Sequence, residues 1–207
     1  MQVYNIPTGA IGTNTYLVFN EATMQGFLVD PGEYSKGIAD KIKEMGIDIK
    51  YIILTHGHAD HIMGVPGFKG DFPNAEIIAH VKEKEMLSDT NFNMSTQFGR
   101  PTVIDADRYV EDENEMDAGG LHLRFLFTPG HSPGGMCIYI PEENTLFSGD
   151  TLFRASIGRT DFPGCSFNDL EEAIHTKLWP LPDDTQVFPG HMGPTNIGFE
   201  KEHNPFV

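Results

Sequence analysis

At 207 residues, 39% of them hydrophobic, the chain is long enough for one domain with a substantial core. Its net charge of −16, from 30 acidic against 14 basic residues, leaves no basic stripe for a phosphate backbone and argues against nucleic-acid partners. No apolar run reaches the roughly 18 residues of a membrane span, and Met1-Gln2-Val3-Tyr4-Asn5-Ile6-Pro7 has neither the basic nor the apolar region of a secretory leader; a cytoplasmic protein with no membrane partner is expected.

In chain order, the first predicted elements are short β-like runs at Gln2–Ile6, Thr15–Phe19 and Phe27–Val29. A helix follows, with Ile38, Ile42 and Met45 on one face and Gly46 placed to end it. Tyr51–Thr55 and Ala75–Ala79 are apolar runs of strand length, and a charged helix near Val81–Leu87 follows the second. The stretch Asp105–Asp117 carries seven acidic residues offset only by Arg108, the pattern of a solvated face.

Further strands are expected at Leu121–Phe127, Met136–Ile140, Thr145–Phe147 and Thr185–Phe188. In the first of these, His122 and Arg124 alternate with apolar neighbours and should face solvent. Ser166 is a good N-cap for a helix with Asp169, Glu171 and Glu172 in its first turn, an apolar stripe of Phe167, Leu170, Ile174 and Leu178, and Pro180 as its stop. Nothing resembles a linker or boundary, so residues 1–207 read as a single domain. Strands interleaved with helices in both halves point to an α/β (α+β) fold of two packed sheets with helices outside; a doubly wound parallel sheet fits the same pattern. Cys137 and Cys165 are expected as free thiols, with Cys165 a minor candidate to bind zinc.

The chemistry is concentrated in Thr55-His56-Gly57-His58-Ala59-Asp60-His61, three imidazoles and a carboxylate within six residues, directly after a buried strand. One cation cannot accept all four side chains from so tight a loop, but two cations can share them. Three other runs deliver matching groups just past a strand: Leu126–His131, Thr145–Asp150 and Val187–His191, each with Gly before the polar residue. Burying such a set without a cation would leave imidazoles and carboxylates poorly paired. His80, His122, His175 and His203 read as ordinary surface or core histidines, His175 as the partner of Glu171 one turn earlier.

The motif His-x-His-x-Asp-His, with later His, Asp and His, resembles the signature of the metallo-β-lactamase superfamily. The resemblance implies a four-layer αββα sandwich with His56, His58 and His131 on one metal, Asp60, His61 and His191 on a second, and Asp150 bridging both. Ser148–Phe153, Gly158–Pro163, Pro189–Thr195 and Asn204-Pro205-Phe206 look most like the short bacterial relatives of glyoxalase II. This implies hydrolysis of a small thioester such as S-lactoylglutathione by a metal-activated hydroxide, with Asp60 and Asp150 catalytic and Asp60 available as a proton relay. An Asp at the bridge, where many β-lactamases have Cys, argues against antibiotic hydrolysis. The ligand set suits two divalent ions, zinc first, with iron or manganese also compatible.

Glyoxalase II enzymes carry a further C-terminal helical region whose basic residues grip glutathione; this sequence ends at Val207. Arg154, Arg159 and Lys201 are the candidates for holding an anionic substrate. The same motif and the Gly158–Phe162 segment also resemble persulfide dioxygenases, which would bind a single iron through His56, His131 and Asp150. The Pro189–Thr195 segment favours the hydrolase. A lactone or other small-ester hydrolase would use the same site, and a metal-binding accessory protein would need a defective ligand set, whereas every position here is filled.

Overall fold

The computed structural model describes residues 1–207. The first sheet runs β1 (Gln2–Thr8), β2 (Thr13–Asn20), β3 (Gln25–Val29), β4 (Asp48–Ile53), β5 (Glu76–His80), β6 (Arg108–Val110), in that spatial order. Its first three strands are antiparallel, and β3 to β6 pair in parallel. The connections between those parallel strands carry α1 (Lys36–Glu44), α2 (Ala59–Ile62), α3 (Val65–Asp71) and α4 (Lys84–Ser88). The second sheet is built from β7 (Glu115–Asp117), β8 (His122–Phe127), β9 (Met136–Ile140) and β10 (Thr145–Gly149). After a small ribbon of β11 (Leu152–Phe153) and β12 (Ser156–Ile157), it is completed by β13 (Gln186–Pro189) and β14 (Thr195–Asn196). Only the β10–β13 pair in that sheet is parallel. Both sheets are therefore mixed, and the doubly wound alternative is not realised. No helix is long and apolar enough to cross a membrane.

Strand alternation explains how four layers arise. Along β2, Tyr16 and Val18 point one way and Leu17 and Phe19 the other, and all four are buried. Tyr16, Val18, Phe27 and Ile53 pack against Leu123, Phe125, Ile138 and Phe147 of the facing sheet. Leu17, Phe19, Leu28 and Ile52 pack outward against Ala39 and Ile42 of α1 and Val65 and Phe68 of α3. On the far side, Leu126, Tyr139, Leu146 and Val187 meet Leu170, Ile174 and Leu178 of the helix beginning at α5 (Phe167–Ala173), and Ile197 of α6 (Ile197–His203). Three apolar interfaces between four layers give the αββα order.

Local signals mostly act as expected. Ser166 caps α5 by accepting the Asp169 amide at 3.2 Å, and the helix continues through a π turn over Ile174–Leu178. Phe167, expected in its apolar stripe, is instead exposed. The charged helix after β5 begins as a 3-10 turn at Val81–Glu83. His122 and Arg124 do face outward, where Arg124 pairs with Glu113 at 2.7 Å. The acidic stretch is more than a solvated face. It supplies the edge strands β6 and β7 of both sheets, and several of its carboxylates are braced, Asp107 by Lys69 at 2.8 Å and Asp112 by Lys177 at 2.6 Å.

The inter-sheet layer is the test of this packing. Leu123→Ala, in that layer, should cost about 2–5 kcal/mol in denaturant unfolding. His122→Ala, one residue away on the outer face, should cost no more than about 1 kcal/mol.

Candidate metal centre

Four strands of the two sheets end at one edge of the sandwich. Beyond β4 the chain passes Leu54 and Thr55 and enters the His56-Gly57-His58 loop, which leads into α2 with Asp60 and His61. His131 follows β8, Asp150 follows β10 directly, and His191 lies two residues past β13. The structure brings all seven side chains to one place. Ligand atoms of His56, His58 and His131 lie within 4.8 Å of one another, as do those of Asp60, His61 and His191. Asp150 stands between the two trios. Its Oδ2 is 3.5 Å from His131 Nε2 and 3.5 Å from His191 Nε2, and its Oδ1 is 3.5 Å from His61 Nε2. Gly190 makes this possible, because a Cβ there would lie 2.7 Å from His61 Cε1 and inside contact distance of Asp150 Oδ1.

The donor set fits divalent cations. His56 Nε2, His61 Nε2 and Asp150 Oδ1 are buried without a hydrogen-bond partner, an arrangement that costs on the order of 1–3 kcal/mol per group unless something else accepts their lone pairs. Burial holds His56 well below the usual imidazole range, with His61, His131 and His58 adding to the effect. Burial also pushes His58 down to about 3 and lowers His131. These three imidazoles therefore present lone pairs. His61 behaves oppositely: burial would lower it, but Asp60, Asp150 and Asp30 together raise it well above normal. Burial would raise Asp60 in turn, yet His61 and His191 hold it far below the carboxylate range. Three carboxylates around one imidazole amount to a concentration of negative charge that calls for positive charge at the centre.

The surrounding groups set ring orientations, and the motif reading did not reach them. His131 donates Nδ1–H to the Arg159 carbonyl at 2.8 Å, which turns Nε2 toward the centre. His61 Nδ1 donates to Asp30 Oδ2 at 2.9 Å, and Asp30 Oδ1 also accepts the Thr55 amide at 2.7 Å. Asp30 follows β3, so it obeys the same strand-end rule as the other four segments; Val29-Asp30-Pro31-Gly32 was the available signal. Thr13 donates to Asp60 Oδ2 at 2.8 Å, while Asn14 and Tyr16 donate to the Pro189 carbonyl at 2.9 and 2.7 Å, tying β2 to the loop of His191.

Glu83 was not foreseen either. It is fully buried at the end of the turn after β5. Its Oε2 accepts the Gly57 amide at 2.8 Å, and its Oε1 accepts Ser132 Oγ and the Gly134 amide, each at 2.6 Å. Burial pushes its carboxyl up and these three donors pull it back.

A cavity of about 540 Å³ opens onto the centre, lined by His58, Asp60, His131, Asp150 and His191 together with Arg159 and apolar side chains. Of the three cations expected to hold an anion, only Arg159 lines it. Arg154 lies over the Phe199 ring, 5.3 Å from its centroid, and Lys201 is held by Asp183 at 2.6 Å; both are drawn to α6 and its surroundings, away from the cavity. Cys165 is also no ligand here: its thiol donates to the His131 carbonyl at 2.8 Å, and both cysteines are free. His80 stacks on Phe127, His122 pairs with Glu115 and Glu142, and His203 stacks on Phe199. His175 packs against Trp179 rather than pairing with Glu171.

The sequence profile of the metallo-beta-lactamase superfamily matches residues 8–191. The chain is 37% identical to the probable metallo-hydrolase YqgX of Bacillus subtilis and 35% identical to the hydroxyacylglutathione hydrolase GloC of Haemophilus influenzae. Each match covers 100% of this chain and 98% of the relative. Among solved structures, BLEG-1 B3 metallo-beta-lactamase superposes with a TM-score of 0.92 at 38% identity over 99% of both chains. The di-iron-bound form of TTHA1623 does so with a TM-score of 0.87 at 31% identity, over 99% of this chain and 100% of that one. The chain belongs to the metallo-β-lactamase superfamily and is a metal-dependent hydrolase.

Asp30→Asn keeps the shape of the side chain but halves its ability to accept, leaving His61 less firmly oriented. Affinity for Zn²⁺, measured by competition with a chelating dye, should fall about 10–100-fold.

Proposed function

We propose that this member of the metallo-β-lactamase superfamily hydrolyses small thioesters of the hydroxyacylglutathione type, with His56, His58 and His131 holding one divalent cation, Asp60, His61 and His191 a second, and Asp150 shared between them. The observation that carries this reading is the pair of donor trios meeting at one carboxylate, that of Asp150. The relation to GloC along the whole chain supports the choice of substrate class. When bound, such cations supply Lewis acidity and a water whose pKa falls from about 15.7 toward about 7.

The chain's own groups then do the rest. Asp60 and Asp150 line the cavity and face the reacting bond, Asp60 steadied by Thr13 and His191. Asp60, kept ionised by His61 and His191, accepts a hydrogen bond from the water and orients it as it adds to the thioester carbonyl. The C–S bond breaks, and the products are a carboxylate and a thiol. Because a thiolate leaves readily, no strong acid is needed on the leaving-group side. Zinc is the first expectation for the ions; the similarity to a di-iron-bound structure makes iron the second.

β-Lactam hydrolysis is the second reading, favoured by the likeness to BLEG-1. A single-iron persulfide dioxygenase would employ only His56, His131 and Asp150 and would leave the Asp60–His61–His191 trio without a task. One metal-loaded preparation distinguishes these: thiol release from S-lactoylglutathione with two metals per chain supports the thioesterase. Cleavage of a chromogenic cephalosporin in its place supports the lactamase, and oxygen uptake with glutathione persulfide at one iron per chain supports the dioxygenase. Asp150→Ala should lose both metal stoichiometry and thiol release. Two retained metals with near-normal turnover in that variant would refute the shared-ligand role.

A further inference from the structure

The cavity over the centre has an apolar mouth. Ile11, Phe98 and Met192 line it, and they are 55%, 41% and 59% exposed. They account for three of the eight large hydrophobic side chains that the whole chain leaves exposed, gathered at a single opening. Exposed apolar clusters of this kind mark binding surfaces. A second bay of about 350 Å³ adjoins the first and shares His58, Met94, Gln97 and Phe162 with it. Asn91, Phe92 and Pro163 complete its lining, which contains no Lys, Arg, Asp or Glu.

Positive charge is scarce at this opening. Arg159 is the one Lys or Arg lining the main cavity, and its Nε and Nη2 donate to Asp161 at 2.9 and 2.8 Å, with Phe162 stacked 4.1 Å away. At the adjoining rim Arg100 is paired with Glu33 at 3.2 Å. The whole chain carries a net charge of −16, so a polyanionic substrate approaches against the field.

Resting on the thioesterase reading, we propose that the preferred substrates are thioesters with an uncharged, medium-length alkyl acyl chain, lodged over Met94 and Phe162 in the second bay. His58 belongs to both the centre and the bay, so a carbonyl at the centre places its acyl arm beside that bay. The reaction is the same hydrolysis: water adds to the carbonyl, the C–S bond breaks, and an alkyl carboxylate, a proton and a neutral thiol result.

The test compares acetyl, butyryl, hexanoyl and octanoyl thioesters of N-acetylcysteamine with S-lactoylglutathione, using the metal-loaded protein and following thiol release. kcat/KM should rise about two- to fourfold per methylene buried, mainly through KM, and octanoyl should exceed S-lactoylglutathione. Met94→Ala and Phe162→Ala should flatten that slope. Calorimetric titration with the uncleavable ethyl and octyl thioethers of N-acetylcysteamine reads binding apart from turnover, and the octyl compound should bind at least tenfold more tightly. Turnover of S-lactoylglutathione with a flat chain-length profile and equal thioether affinities would overturn the apolar-arm proposal while leaving the thioesterase standing. Chain-length-dependent binding with no cleavage of any thioester would instead overturn the thioesterase reading and keep the apolar bay.

Discussion

Five strand ends and one short helix crowd four buried histidines, a partly exposed fifth and three aspartates into a space where protein groups alone cannot satisfy one another. Imidazole nitrogens of His58 and His131 face each other at 2.9 Å, and a lone His61 sits among three carboxylates. Such a cluster is unfavourable without added positive charge, and the remainder of the molecule is arranged to hold it regardless. The two sheets supply rigidity through an interior layer of aromatic and β-branched side chains. The loops at the sheet edge supply the ligands, and glycines let them approach.

That division of labour explains what could be read in advance. Strands such as β4, β8, β9 and β10 announce themselves because burial on both faces or strict alternation leaves a local trace. The ligand residues were legible because they fall in short segments just beyond such strands, with a glycine directly before His58, His131, Asp150 and His191. Elements without such a trace were missed. β6 and β7 lie within a run of acids, and their pairing is decided by the neighbouring strand, not by their own composition. The two-residue strands β11, β12 and β14 have no periodicity to detect, and α6 is capped by Asn196 Oδ1 accepting the Phe199 amide.

The supporting groups were the least legible part of the site. Asp30, Thr13 and Glu83 lie 31, 47 and 26 positions from His61, Asp60 and Gly57, the residues they bond, and act through hydrogen bonds that only the folded topology brings about. The three cations singled out on composition show the opposite failure. Arg154, Arg159 and Lys201 are each already engaged, by a ring, a carboxylate in the same loop, and a carboxylate near the end of the π turn. A positive side chain is informative about ligands only once its partners are known.

The Glu83 carboxylate has a bearing on how the cage behaves when empty. It grips the loop of His56 and His58 with one oxygen and the loop of His131 with the other. Both walls of the first trio therefore hang from the same peg, planted in a turn that neither wall belongs to. Ions can then enter and leave a seat whose shape is already set, so little ordering entropy accompanies their capture. Exchange of one metal for another becomes a matter of supply and fit instead of refolding.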